Sequence, residues 1–471
     1  MTGDVMPQDD LETRSVSRVA RGGLAAFIIY GAGVGLAYCS QLLIARLVGV
    51  DAYGLYAYVM AWVTVLAYFS ALGFDVALLR FLPAYEAACA WPLFRGVIRY
   101  AERRAMAVSA AIILAGAYVV LAREVSTQLR DTFLIGLLLV PVLALLWIRS
   151  SIVRACGGVL WAVAPNRVMR DGVLVGLVAL ASAGLGWTLD AAAVISATLV
   201  GAIIALLFAT LGMRKLRPRI IDGVEPAYEA ESWRRAALPL VILTAAEALL
   251  NRSGVIVLGW FGDTKAAGIY SLAFNIAFVV GLPRVAINTL FAPTISGFHA
   301  RNEHAMLQRL ITRAASWTLA ASGFIGIVLF VFAEQFFGWF GADYAAGVPA
   351  LRILLVGQVL VAAGGSQLHV MTMTGHERSA AVLLVSSTIV NLAASGALVA
   401  LIGLNGAAIG TAATLILWNL AMATFLSRRL GLKAGVLAFL QLGLKRTERQ
   451  AAEAPPSVRR ALGRLRQSFR V

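Results

Sequence analysis

Charge is what this sequence has least of: only 14% of its 471 residues are Asp, Glu, Lys or Arg, where an average globular chain carries about 25%. With 60% hydrophobic residues and a mean hydropathy of +0.82, there is too little polar material to clothe soluble domains. Cysteine is scarce as well. Cys39, Cys89 and Cys156 stand far apart with no C-x-x-C pair, which excludes a disulfide framework and a zinc site. The histidines His299, His304, His369 and His376 do not cluster, and no G-x-S-x-G, H-E-x-x-H or Walker loop is found. No catalytic activity, metal or cofactor is therefore expected. Gly31, Gly33 and Gly35 imitate a nucleotide loop but lack its G-x-G-x-x-G spacing, and inside an apolar run they suit close helix packing instead. Leu36-Ala37-Tyr38-Cys39 makes a poor lipoprotein box because Tyr38 is too large for the place before the cysteine.

What the chain does have is a succession of apolar runs of ~20 residues, the length that crosses a ~30 Å hydrocarbon core. A net charge of +16 is compatible with nucleic-acid binding, but the placement of the basic residues argues against it. They gather in alternate loops: Arg14, Arg18 and Arg21; Arg95, Arg99, Arg103 and Arg104; Arg154, Arg167 and Arg170; the stretch from Arg214 to Arg235; Arg301, Arg309 and Arg313; Arg378; and the tail from Arg428. The intervening loops hold few, chiefly Arg46, Arg123, Arg130 and Lys265. This is the positive-inside pattern, and it predicts cytoplasmic termini and an even number of spans. No loop on the opposite face exceeds roughly a dozen residues, so a polymerase or ligase with a large external catalytic loop is not expected.

The chain also repeats itself. Gln41–Pro83 returns about 214 residues later as Val255–Pro293, with Gly54-Leu55-Tyr56 against Gly268-Ile269-Tyr270 and Phe81-Leu82-Pro83 against Phe291-Ala292-Pro293. Leu93-Phe94 and Val97-Ile98 return as Met306-Leu307 and Leu310-Ile311, and the stretch Leu189–Val194 as Leu404–Ile409. A period this long is no solenoid; it predicts two similar lobes, the plan of many transporters. The expected fold is an all-α polytopic membrane protein of about 12 transmembrane helices in two six-helix lobes.

Taken in order, residues 1–21 form a cytoplasmic segment, 22–213 an N-lobe of spans 1 to 6, 214–236 a cytoplasmic linker, 237–427 a C-lobe of spans 7 to 12, and 428–471 a basic amphipathic tail. The tail suits either a basic amphipathic helix lying on anionic inner-leaflet lipids or a disordered basic segment. Leu93, Phe94, Val97 and Ile98 predict an interfacial elbow ahead of span 3, repeated near residues 303–313 ahead of span 9. Pro141 is expected to kink span 4, and 434–444 reads as either re-entrant or an extra span.

A charge at the centre of a span costs roughly 2.5–3.5 kcal/mol and usually faces a cavity or a partner. Span 7 carries Glu247, Asn251 and Arg252, span 8 carries Arg284, and span 2 carries Asp75 with Arg80 at its inner end. Arg252, Arg284, Asn251 and Arg80 are the candidates for holding an anionic group. Asp75 and Glu247 are candidates for a coupling ion or a counter-charge. Arg80, Arg46 and Arg352 also suit simple snorkelling to the interface.

Three segments, ARLVGVDAYGLYAYVMAW (Ala45–Trp62), LGFDVALLRFLPAYE (Leu72–Glu86) and LNGAAIGTAATLILWNL (Leu404–Leu420), resemble the Wzx-type lipid-linked oligosaccharide flippases of the multidrug/oligosaccharidyl-lipid/polysaccharide exporter superfamily. The resemblance implies a V-shaped pair of six-helix bundles around a cavity that opens alternately to each side of a bacterial inner membrane. It implies as substrate an undecaprenyl-diphosphate-linked oligosaccharide held by cavity arginines, polysaccharide polymerase and glycosyltransferases as partner enzymes, and a monomer. Two readings stay open beside it. A MATE-like multidrug or small-molecule antiporter would use Asp75 or Glu247 to take a proton or Na⁺, but the arginines in the spans match or outnumber the acids. A non-transport membrane scaffold for polysaccharide assembly gives no reason for mid-span Arg252 and Glu247.

The charge pattern generates a topology test. Single cysteines placed at Gly223 and Ser457 are expected to resist a membrane-impermeant thiol reagent added to intact cells, and cysteines at Asp263 and Asp343 to react. The reverse labelling would overturn the orientation.

Overall fold

The computed structural model describes residues 33, 35–184, 189–287, 298, 301, 303–433 and 435. The N-terminal segment, the start of span 1, nearly all of the tail and the question of 434–444 lie outside the described residues. Among the described residues every regular element is helical: α1 Gly35–Val48, α2 Val50–Ala71, α3 Phe74–Ala87, α4 Trp91–Ala122, α5 Thr127–Ala155, α6 Val159–Ala164, α7 Arg170–Ala179 and α8 Ala191–Leu216. After the linker come α9 Ala230–Trp260, α10 Thr264–Phe278, α11 His304–Val331, α12 Ala333–Gly338, α13 Val348–Gly364, α14 Gln367–Met373 and α15 Glu377–Arg429.

Nine helical stretches among the described residues are long and apolar enough to cross a membrane. The expected twelve is not reached by that measure, for identifiable reasons. The described part of α1 is short, and the region of span 5 is divided by π-helical turns at Pro165–Met169 and Leu180–Gly184. α15 runs for 53 residues, but Ile402 and Gly403 leave helical geometry, so it holds two helices joined across a kink.

Two local expectations change. Span 2 is not one helix: Leu72 (φ 53°) and Gly73 (φ 73°) both turn left-handed, ending α2 and starting α3. The predicted elbows are not separate interfacial pieces either, because α4 and α11 run without interruption into the apolar segments that follow. Phe94 and Val97 are fully buried, and so is Leu307 in the second copy. Their apolar stripe is a helix face, as its spacing predicts, but it packs on protein rather than on lipid.

The chain divides into two compact units, one of Met1–Ile276, Ala333–Leu351 and Leu384–Thr411, the other of Ala277–Phe332, Arg352–Leu383 and Ala412–Val471. In the first, α2 is apolar on nearly every side, as an enclosed helix must be, and Tyr53, Val59, Ala61 and Ala67 have no exposed surface. Gly54 and Gly268, equivalent positions of the repeat, lie against each other. A Cβ on Gly268 would sit 2.6 Å from the Cα of Gly54, and one on Gly54 would collide with the main-chain oxygen of Thr264. Tyr53 bridges the same helices, with Ser271 at 3.5 Å and the Asn275 amide donating to its hydroxyl at 3.4 Å. The Tyr270 hydroxyl donates to Thr411 at 2.8 Å.

At the other end of this unit Phe74, Leu78, Phe94, Val97, Ile152 and Trp233 form one apolar cluster, and the Trp233 indole donates to the Tyr85 hydroxyl at 2.8 Å. The linker is fastened there too. Arg95 donates to the main-chain oxygens of Asp222 and Val224, and the Ala227 amide to that of Pro92 at 3.0 Å.

In the second unit Ser322 donates to the Val280 carbonyl at 2.7 Å. A Cβ on Gly357 would stand 2.8 Å from that of Ala412. Gln308 pairs reciprocally with the main chain of Lys433, both bonds at 2.8 Å.

Overpacking a tight contact typically costs ~1–3 kcal/mol. Gly54→Ala and Gly268→Ala are each expected to lower the thermal midpoint of the detergent-purified protein, whereas Gly323→Ala, where nothing lies within 4 Å of the added atom, should not. Equal midpoints for all three would refute the crossing.

Candidate functional site

The chemistry available lies in polar side chains held inside apolar helices. On α9, Glu247 and Asn251 are four residues apart and share a face, with Arg252 next to them. Glu247 is exposed, while Asn251 and Arg252 are half-buried. Arg252 is within electrostatic reach of the Tyr53 hydroxyl, which also donates to Gln41 at 3.4 Å. Among the described residues no carboxylate lies within ion-pair distance of Arg252. The C-terminal half of α9 thus presents, among the described residues, a guanidinium without a carboxylate partner beside a small hydroxyl and amide network.

Asp75 belongs to another depth. It occupies the first turn of α3, which exists because the chain leaves α2 through the left-handed pair Leu72-Gly73, and the helix N-terminus favours its carboxylate. Gly73 is required there by α9: a Cβ would stand 2.5 Å from the Ala237 oxygen and 2.8 Å from the Val241 nitrogen. The Ser151 hydroxyl donates to the main-chain oxygen of Asp75, and its side-chain Oδ1 is buried with no hydrogen-bond partner among the described residues. Arg154 is the cation in electrostatic reach. Asp75 lies beyond the break that ends α2, and the helix from Tyr53 to that break at Ala71 is roughly 27 Å long at 1.5 Å per residue. Asp75 is therefore not grouped with Arg252. Arg80 is exposed on α3. Arg284, in the second unit, is half-buried and within electrostatic reach of His369 on α14.

Two ion pairs escaped the sequence. Arg149 on α5 donates to Glu102 on α4 at 2.8 Å and to Thr210 on α8 at 2.5 Å, tying three helices together. Arg170 donates both Nε and Nη2 to Asp171, at 2.8 and 3.2 Å. These side chains are 23% and 6% exposed, and α8 packs over them, since a Cβ on Gly201 would stand 2.6 Å from the Arg170 oxygen. Arg170 counts as a loop residue when only basic clusters are scored; the signal that marks it is the adjoining acid in a chain with few acids. A π-helical turn, Pro165–Met169, immediately precedes the pair.

Comparison with known proteins supplies the context. The family model described as "Polysaccharide biosynthesis protein" matches residues 19–299. No curated protein matches. Among solved structures, the lipid II flippase MurJ in an inward closed conformation superposes with a TM-score of 0.70 at 13% identity, over 89% of this chain and 90% of that one. An inward-facing multidrug resistance MATE family transporter of the MOP superfamily gives 0.66 at 14% identity, over 87% and 98%. A mutant of the Vibrio cholerae MATE transporter VcmN gives 0.61 at 16% identity, over 87% and 96%. At these identities the likeness is one of fold, and it agrees with the all-helical, multi-pass membrane architecture.

A buried pair broken on one side costs ~3–5 kcal/mol, whereas an apolar replacement of both partners is near neutral. Asp171→Asn is accordingly expected to destabilise the protein strongly, and the double variant Arg170→Met, Asp171→Leu to recover most of the loss in a detergent melting assay. A single variant as stable as the parent would contradict the burial of this pair.

Proposed function

The chain belongs to the polysaccharide biosynthesis protein family, and from that premise we propose that it is a flippase moving undecaprenyl-diphosphate-linked oligosaccharide repeat units from the cytoplasmic to the outer leaflet by alternating access. The observation that carries the reading is Arg252, a half-buried cation in an apolar helix with no carboxylate among the described residues within ion-pair distance. Such a residue costs insertion energy and is a poor choice for packing alone. A diphosphate offers several charged oxygens, and the planar guanidinium fork pairs with two at once.

In this reading Arg252 and Arg284 hold the diphosphate, Asn251 donates to it, and Arg80 receives it near the cytoplasmic face. The lipid tail stays in hydrocarbon while only the hydrated head crosses. The two-lobe division at 22–213 and 237–427 supplies the alternately opened cavity, in a bacterial inner membrane with both termini inside. Asp75 and Glu247 serve as coupling or counter-charge groups; the unpartnered Oδ1 of Asp75 favours Asp75 for a proton or cation. The potential also helps, because each negative charge moving outward from a negative cytoplasm releases ~2.3 kcal/mol per 100 mV. The protein acts as a monomer, delivering to polysaccharide polymerase and glycosyltransferase partners.

Substitution separates the charge from the fork. In cells lacking the native gene, Arg252→Ala and Arg284→Ala are expected to abolish polysaccharide export at normal membrane levels of protein, with Arg→Lys partly active. Full export from the double alanine variant would sink the assignment.

A further inference from the structure

Where α4 and α9 approach each other at the ends predicted to be cytoplasmic, the first unit has a recess of about 610 Å³, joined at Tyr100, Arg104 and Ala230 to a second of about 390 Å³. The floor is apolar, made by Leu72, Phe74 and Val241, with Leu238 on one wall 62% exposed. The rim is cationic. Arg103 and Arg104 come from α4, Arg234 and Arg235 from α9, and all four are exposed. Glu231 is the acid on this rim, and it is occupied by Arg235 at 2.6 Å. Arg104 lies over the Tyr100 ring, 5.4 Å from its centroid, a contact that leaves the guanidinium edge available. Among the described residues no carboxylate is within ion-pair distance of Arg103, Arg104 or Arg234.

We infer that this recess is a binding site for an anionic phospholipid of the cytoplasmic leaflet, selective for a head group with two phosphates. The α4 wall offers Arg103 and Arg104 and the α9 wall Arg234, so one phosphate is held by Arg103 and Arg104 and the other by Arg234, while the acyl chains cover Leu238 and Val241. The arginines stand just before the apolar runs of α4 and α9, at the level of the head groups. Like charges on facing walls repel unless an anion lies between them. Bulk anionic lipid far outnumbers any biosynthetic intermediate, so by mass action it fills a site of this chemistry. A bound lipid then ties α4 to α9 beside the point where Gly73 meets the α9 main chain.

The test is native mass spectrometry of the delipidated full-length protein titrated with cardiolipin, phosphatidylglycerol and phosphatidylethanolamine. Cardiolipin is expected to bind most tightly and phosphatidylethanolamine least. Arg104→Ala and Arg234→Ala should each weaken cardiolipin binding about fivefold, the lysine variants should retain most of it, and Arg313→Ala, a cation elsewhere in the fold, should change nothing. Undiminished cardiolipin binding by the Arg104→Ala, Arg234→Ala double variant, or equal affinity for the zwitterionic lipid, would overturn the site. Binding of an isoprenyl diphosphate with no phospholipid binding would likewise overturn it, reassigning the recess to the transported lipid.

Discussion

Main chain against main chain at Gly54 and Gly268 is the contact on which the first unit depends. Between helices in a bilayer the hydrophobic effect offers little, since lipid is as apolar as leucine, and association rests on close packing and hydrogen bonds. The two glycines let α2 and α10 come near enough for Tyr53 to reach Ser271 and Asn275. They are also equivalent positions of the internal repeat. An element that meets its proposed copy at the same residue would form the self-complementary contact found on a two-fold axis.

Around it, desolvation sorts the charges. Arg149 with Glu102 and Arg170 with Asp171 are compensated at hydrogen-bond distance, and they fasten α4, α5, α7 and α8. Among the described residues Arg252 has no such compensation, and neither does the Oδ1 of Asp75. One lies among hydroxyls and amides on the C-terminal half of α9, the other at the break between α2 and α3.

Much of this was legible from residue order alone. The helical class, the alternation of basic loops and the glycine pair all follow from periodicity and spacing, because membrane spans are long and their chemistry is monotonous. Local irregularity was not. Nothing in the apolar pattern of 50–87 distinguishes the left-handed Leu72, and π-helical turns flanking α7 leave no mark in hydropathy. The amphipathic stripe at Leu93–Ile98 has the composition of an interfacial helix. What decides its fate is Trp233, more than a hundred residues away, which supplies a protein surface to pack on. The Arg149–Glu102 pair escaped for the same reason: the two residues are 47 positions apart, and only tertiary structure joins them.

The central claim is that this fold carries a lipid-linked diphosphate across the bilayer. The most direct measurement reconstitutes the purified protein into sealed liposomes containing a fluorescent isoprenyl-diphosphate-linked oligosaccharide, with a membrane-impermeant quencher outside. The account predicts protein-dependent exchange of the protected inner-leaflet pool, accelerated when the potential is set to drive negative charge across. A protected pool unchanged by the protein, under conditions where the same liposomes transport a small organic cation, would contradict it.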